Sequence, residues 1–238
     1  MAATWLAGPV TVRTVNERPV DTAPDTGEER TGAAAALRQL GHELVARDMT
    51  GEELARLRAA VEALTADVAT APVRQNAFAN WVALLFDGDA PAHADHPPGE
   101  GLMTDSFVSG KTNPMGMAAD VHLEGDEAVG RVTLGPAFEG APGRAHGGLV
   151  AALLDETMGL ALSVSRAPAF TGRLQIHYRS PTPLGVPLEA RARLTRQEGR
   201  KLTVTAELRE GDTLLAEADG LFLTVDLEHF AERGTRSP

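Results

Sequence analysis

Apolar positions along the chain fall into three regimes, each with its own period. From about Gly32 to Ala71, Leu37, Leu40 and Leu44, then Leu54, Leu57, Val61 and Leu64, recur in steps of three and four, the spacing of one helix face. Thr50 followed by Glu53 fits a capping box and predicts that the second of these helices opens there. From Gly143 to Gly159 (GRAHGGLVAALLDETMG) the apolar residues crowd together instead. Leu149, Val150, Leu153, Leu154 and Met158, continued by Leu160 and Leu162, leave almost no polar stripe. A helix apolar all round is a buried helix. The third regime is strand-like: Met117 to Leu123 and Glu127 to Leu134 around a turn at Gly125-Asp126, then Gly172 to Ser180, Pro187 to Glu198, Leu202 to Arg209 and Thr213 to Val225. Gly199 and Gly211-Asp212 mark the later turns. Two strands, one buried helix and four more strands predict an α+β arrangement, a curved antiparallel sheet wrapped on a single helix.

The remaining segments punctuate this pattern. Residues 1–30 are rich in Thr, Pro, Asp and Glu and read as a mobile arm. Residues 31–101 hold the two helices, a short apolar patch from Asn80 to Phe86 with Trp81, and a linker (87–101) with three prolines and no apolar period. A sheet-and-helix domain follows over 102–227, and 228–238 reads as a tail. No internal repeat is visible.

Composition narrows the function classes. The formal net charge of −11 argues against a general nucleic-acid binder, which needs a basic face. Residues 1–105 carry a net −8 and residues 106–238 only −3, so most of the acidity lies away from the apolar helix. Zero cysteines exclude disulfides and thiolate chemistry and fit a cytoplasmic protein. The opening MAATWLAGPV lacks a basic region and its apolar run stops at Gly8-Pro9, so no signal peptide is expected. The central helix is too short, and too interrupted by Asp155-Glu156, for a membrane span. The seven histidines show no metal-ligand spacing, and no metal site is expected.

The chemistry concentrates in the apolar helix. A carboxylate there, Asp155, costs several kcal/mol to bury unless it is hydrogen-bonded or serves a purpose. Adjacent helix residues point about 100° apart, so only one of Asp155 and Glu156 can face a given cleft. At the helix start, Gly147 and Gly148 let a carbonyl oxygen approach N–H groups that have no intrahelical partner. Such donors, at the positive end of the helix dipole, polarise a carbonyl and hold the oxyanion of acyl transfer. Asp155 lies roughly 12 Å further along, at about 1.5 Å per residue. Both groups can act on one carbonyl only if the carboxylate comes from a second subunit. Arg191, Arg193, Arg196, Arg200 and Lys201, beside Arg173 and Arg179, form a basic stretch. It is either a charged sheet edge or a landing site for phosphates.

His146-Gly147-Gly148 followed by Asp155 resembles the hotdog-fold acyl-CoA thioesterases, specifically the phenylacetate-pathway (PaaI-like) group. The resemblance takes in Asn113-Pro114-Met115-Gly116, Val132 to Pro136, Phe138 to Pro142 and Thr171 to Leu184 (TGRLQIHYRSPTPL). It covers about the last 125 residues and leaves the first hundred unmatched. It implies a hotdog fold and hydrolysis of an acyl-CoA to a free acid and coenzyme A, with self-association as dimer or tetramer. No cofactor is implied, coenzyme A being part of the substrate. By this resemblance Asp155 is general base or nucleophile, Gly147 and Gly148 supply backbone N–H groups, and His146 orients the site or contacts the thioester. Thr171 would position water near the carboxylate. Asn113 would lie near the thioester. If the basic stretch is a landing site for the phosphates of coenzyme A, Arg173, Arg200 and Lys201 are its candidates, although charge alone does not choose among the arginines. The competing expectations are a hotdog hydratase or dehydratase and a non-catalytic acyl-CoA-binding module. Outside the resemblance, the helical extension has three possible roles, to cap the acyl tunnel, to extend the dimer interface or to leave catalysis untouched, and its apolar stripe of leucines favours the first.

Overall fold

Tight glycine turns organise the sheet. In the computed structural model, which describes residues 27–73, 104–165 and 169–225, β1 (Asp120–Glu124) and β2 (Glu127–Thr133) form a hairpin. β4 (Pro187–Glu198), β5 (Lys201–Glu210) and β6 (Thr213–Thr224) form a meander. The three connections are Gly125-Asp126, Gly199-Arg200 and Gly211-Asp212, with φ of 67°, 55° and 52° on their glycines. A positive φ on the first turn residue alone matches a two-residue hairpin whose twist suits the strands. Pairing is antiparallel throughout, and the six-stranded sheet runs β1-β2-β4-β5-β6-β3, with β3 (Ala169–Tyr178) at one edge.

The strands show how the sheet acquires an inner face. Along β5, Leu202, Val204, Ala206 and Leu208 are buried and alternate with outward polar residues, the period-2 pattern of a half-buried strand. β4 contributes Leu188, Ala190 and Ala192 to the same face. The central helix lies across this face. It is the third α-helix among the described residues, α3 (Gly147–Ala161), and it buries Val150, Leu153, Leu154, Thr157, Met158 and Ala161. Each large apolar side chain removed from water contributes about 1.5–3 kcal/mol. Close approach of helix and sheet depends on Gly130 of β2, where a Cβ would stand 2.6 Å from Thr157 Oγ1. That buried hydroxyl donates to Leu153 O at 2.7 Å, so burial leaves it satisfied.

The composition predicts a helix buried all round, but within the chain full burial is confined to one side. The sheet covers one side only, and Leu149, Ala151, Ala152 and Asp155 on the other side are half-buried. The Asp155 carboxylate therefore does not bear the full cost of burial within one chain.

The N-terminal helices are α1 (Gly27–Ala46) and α2 (Gly51–Ala69). Helix α1 starts inside the segment expected to be an arm. The capping box is present: Thr50 Oγ1 accepts from Glu53 N, and Glu53 Oε2 accepts from Thr50 N at 2.8 Å. Helix α1 docks on the sheet domain through two side chains. His42 Nδ1 accepts from Ala137 N at 3.1 Å and its ring meets Phe138 edge-on at 5.1 Å. Arg38 donates to the carbonyls of Lys111 and Asn113 at 3.1 and 2.7 Å. Helix α2 has no buried residue, and Leu54, Val61, Leu64 and Val68 of its apolar stripe are exposed. Most of the expected arm, the Trp81 patch, the linker and the tail lie outside the described residues. No helix among the described residues is long and apolar enough to cross a membrane.

Candidate active site

Two short connections aim the start of α3. Pro136–Phe138 forms a single 3₁₀ turn, and Glu139 to Ala145 then doubles back as a loop. Isolated bridges pair Glu139 with Ala145 and Arg144 with Pro183. His146 N donates to Phe138 O and Ala145 N to Thr182 O, both at 2.9 Å. The loop is thus stapled on two sides before the chain enters the helix.

His146 is the N-cap of α3. It keeps extended backbone angles, and its Nδ1 accepts from Gly148 N at 3.0 Å. Ser, Thr, Asp and Asn commonly fill this position; here an imidazole nitrogen does the same work. The cap distinguishes the two glycines. Gly148 N–H is engaged by His146, whereas among the described residues no acceptor bonds Gly147 N–H. Gly147 therefore presents the open donor at the helix N-terminus.

Two helical turns on, the paired acids separate cleanly. Asp155 Oδ1 accepts from Thr171 Oγ1 at 2.9 Å. Glu156 accepts from Ser106 Oγ at 2.5 Å and from Ser109 N at 3.1 Å, tying the 104–117 loop to the helix. The Thr171 contact depends on an irregularity in β3. The β3–β6 register shifts between Thr171 and Arg173, a bulge at Gly172. On the tail side of the bulge Leu174 and Ile176 pack toward the core; on the other side Ala169 does so, with Thr171 turned to the helix. The extra residue reverses the parity of the strand and brings the hydroxyl to the helix side.

The other expected residues scatter. The Asn113 side chain is occupied within its own loop, donating to Asp105 O at 3.2 Å and accepting from Met115 N at 2.9 Å. Arg200 donates to Thr224 O at 3.1 and 3.2 Å beside Lys201, at the end of the sheet where Ala169 pairs with Thr224. That is the Asp155–Thr171 end, far from the Gly147 end of the same helix. Arg173 is exposed on edge strand β3. Arg191 and Arg193 of the basic stretch pair with carboxylates instead. Arg191 binds Glu189, Glu127 and Glu124, and Arg193 binds Glu127. With Arg131 joining Glu124 and Glu189, these residues form an ion-pair network across β1, β2 and β4. The hydrogen bonds from Arg131 and His122 hold the Glu124 carboxyl down at about 2, and those from Arg191 and Arg131 lower Glu189 as well.

Two residues at the helix start escaped the sequence reading. Tyr178 donates its hydroxyl to Gly147 O at 2.9 Å. Arg144 lines, with Gly147, Val150, Tyr178, Arg179 and Thr182, an open depression of about 330 Å³. Arg179 is held by Glu217 at 2.6 Å. The position of Arg144 two residues before His146 was the available signal; Tyr178 has none short of knowing that β3 runs antiparallel to the helix.

Comparison with known proteins agrees with this architecture. Residues 142–217 match the Thioesterase superfamily. Acyl-coenzyme A thioesterase THEM4 of Bos taurus is 36% identical over 96 residues, 40% of this chain and 39% of that protein. The chain thus spans about two fifths of the length of the curated relatives it matches. A solved thioesterase superfamily protein is 27% identical with a TM-score of 0.69, over 85% of this chain and 94% of that one. That coverage exceeds what residues 102–227 alone can supply, so the likeness reaches the N-terminal helical extension. A mutant phenylacetic acid degradation protein PaaI from Thermus thermophilus is 30% identical over 45% of this chain and 93% of that one, with a TM-score of 0.42.

Proposed function

We propose that this chain, which carries a thioesterase-superfamily domain of hotdog fold, hydrolyses an acyl-CoA thioester to a free carboxylic acid and coenzyme A. The observation that carries the reading is the pairing of Thr171 with Asp155 on the same helix whose first residue, Gly147, presents an open N–H. Gly147 N–H polarises the thioester carbonyl, and a preorganised donor at the developing oxyanion is typically worth ~10²–10³ in rate. The Asp155 carboxylate, oriented by Thr171, either draws a proton from water or attacks the carbonyl itself. Gly147 and Asp155 stand about 12 Å apart along one helix at roughly 1.5 Å per residue. One site therefore combines Gly147 of one subunit with the carboxylate of another. The edge position of β3 supports that assembly, because among the described residues no further strand pairs beyond it, and it lies beside the half-buried face of α3 where two subunits can share a surface. The reaction asks for no metal or redox cofactor.

The test is thiol release from short-chain, long-chain and aryl acyl-CoAs by wild type and Asp155→Ala. Release by wild type that falls at least a hundredfold in a folded variant is expected. Binding of acyl-CoA without any release would turn the reading to a binding module. Undiminished release by Asp155→Ala would remove the carboxylate from the mechanism.

A further inference from the structure

The peptide joining Gly147 to Gly148 is held at both ends by side chains from different parts of the fold. Its carbonyl, Gly147 O, accepts from the Tyr178 hydroxyl at 2.9 Å, and its N–H, that of Gly148, donates to His146 Nδ1 at 3.0 Å. Tyr178 is the last residue of β3 and His146 the cap of α3, so the two clamps belong to separate elements. The ring also covers the glycine: a Cβ on Gly147 would lie 3.4 Å from the hydroxyl and 3.5 Å from the ring carbon that bears it.

From this geometry we infer that Tyr178 is a positioning residue for the reaction, fixing the Gly147–Gly148 peptide so that the preceding peptide aims Gly147 N–H at the substrate carbonyl. The inference rests on the thioesterase reading for its catalytic half; the clamp itself does not. A helix N-terminus is the frayed end of a helix, and its first peptide has few constraints of its own. Here the bulge at Gly172 lets one strand serve two points of the helix: Thr171 reaches Asp155 in its middle, and Tyr178, at the other end of the strand, reaches Gly147 at its start. Oxyanion donors act through preorganisation, so a loosened first turn lowers the rate without weakening substrate binding. Tyr178 thereby acts on turnover through Gly147 rather than by touching the reacting atoms.

Tyr178→Phe keeps the ring and deletes the clamp. Two measurements decide its role: steady-state kinetics with the acyl-CoA that wild type turns over fastest, and amide hydrogen exchange at Gly148 in isotopically labelled full-length protein. Expected are a kcat lowered by about tenfold, the scale of one net hydrogen bond, a KM within about twofold of wild type, and Gly148 exchange faster by about the same factor. Unchanged Gly148 exchange overturns the clamp whatever the kinetics. Faster exchange with unchanged kcat, or a loss that falls on KM, overturns the positioning role. Wild type without thiol release sinks the thioesterase reading and the catalytic half together, while Gly148 exchange still judges the clamp.

Discussion

Asp155 and Glu156 are neighbours of like charge with opposite duties, and the division follows from the roughly 100° between them on the helix. Glu156 faces the 104–117 loop, where it satisfies a hydroxyl and a backbone N–H; Asp155 faces Thr171 and the half-buried side of α3. Removing each should therefore read out differently. Glu156→Ala leaves Ser109 N–H and Ser106 without their acceptor, and a hydrogen bond to a charged group contributes about 1.5–3 kcal/mol net. Denaturant unfolding should show a loss of that order, with kcat changed less than about tenfold. Asp155→Ala loses one hydrogen bond from an exposed hydroxyl, so its unfolding free energy should fall by about 1 kcal/mol or less. A Glu156→Ala protein as stable as wild type would show that the loop does not depend on that anchor.

At the scale of elements, the chain's pattern conveys strands and turns but neither the ion pairs nor the bulge. The network of Glu124, Glu127 and Glu189 with Arg131, Arg191 and Arg193 joins three strands of one sheet edge. Its pH dependence has a definite sign. Glu124 falls from 4.5 to about 2 in the folded state, so its contribution is full above 4.5 and is lost as pH drops through that interval. Wild type should lose stability between pH 4.5 and about 2 more steeply than Glu124→Gln, and thermal melts across that range measure the difference. The effect should also shrink in high salt, since these side chains are partly open to solvent. The strands, their glycine turns and the capping box were legible because period and turn chemistry are local properties. The bulge was not. Nothing local marks Gly172 as an extra residue, and a one-residue slip exchanges the faces of a strand. For the same reason the sequence shows Arg191 and Arg193 two apart, on one face of a strand, but not that carboxylates of β1 and β2 lie across from them.

The whole molecule raises the question of what covers the open side of α3. An all-apolar helix in the sequence becomes, in one chain, a helix buried on the sheet side and half-buried on the other. If the proposed second subunit covers that side, the composition describes the helix in the assembly rather than in the single chain, since periodicity reports total burial and not which chain supplies it. Two variants expected to be inactive make the proposed assembly measurable. Asp155→Ala retains the Gly147 donor, and Gly147→Val, which blocks that donor and crowds Tyr178, retains the carboxylate. If each site takes its donor and carboxylate from different subunits, a mixed dimer rebuilds one intact site and leaves one doubly damaged. Unfolding and refolding the two variants together in equal amounts should then restore about a quarter of wild-type activity, because half of randomly paired two-fold dimers are mixed and each has one good site of two. If donor and carboxylate served one site within a single chain, no pairing would restore it. Continued inactivity of a co-refolded mixture shown to contain mixed dimers would therefore place the whole reaction within one subunit and remove the role given to the open face of α3.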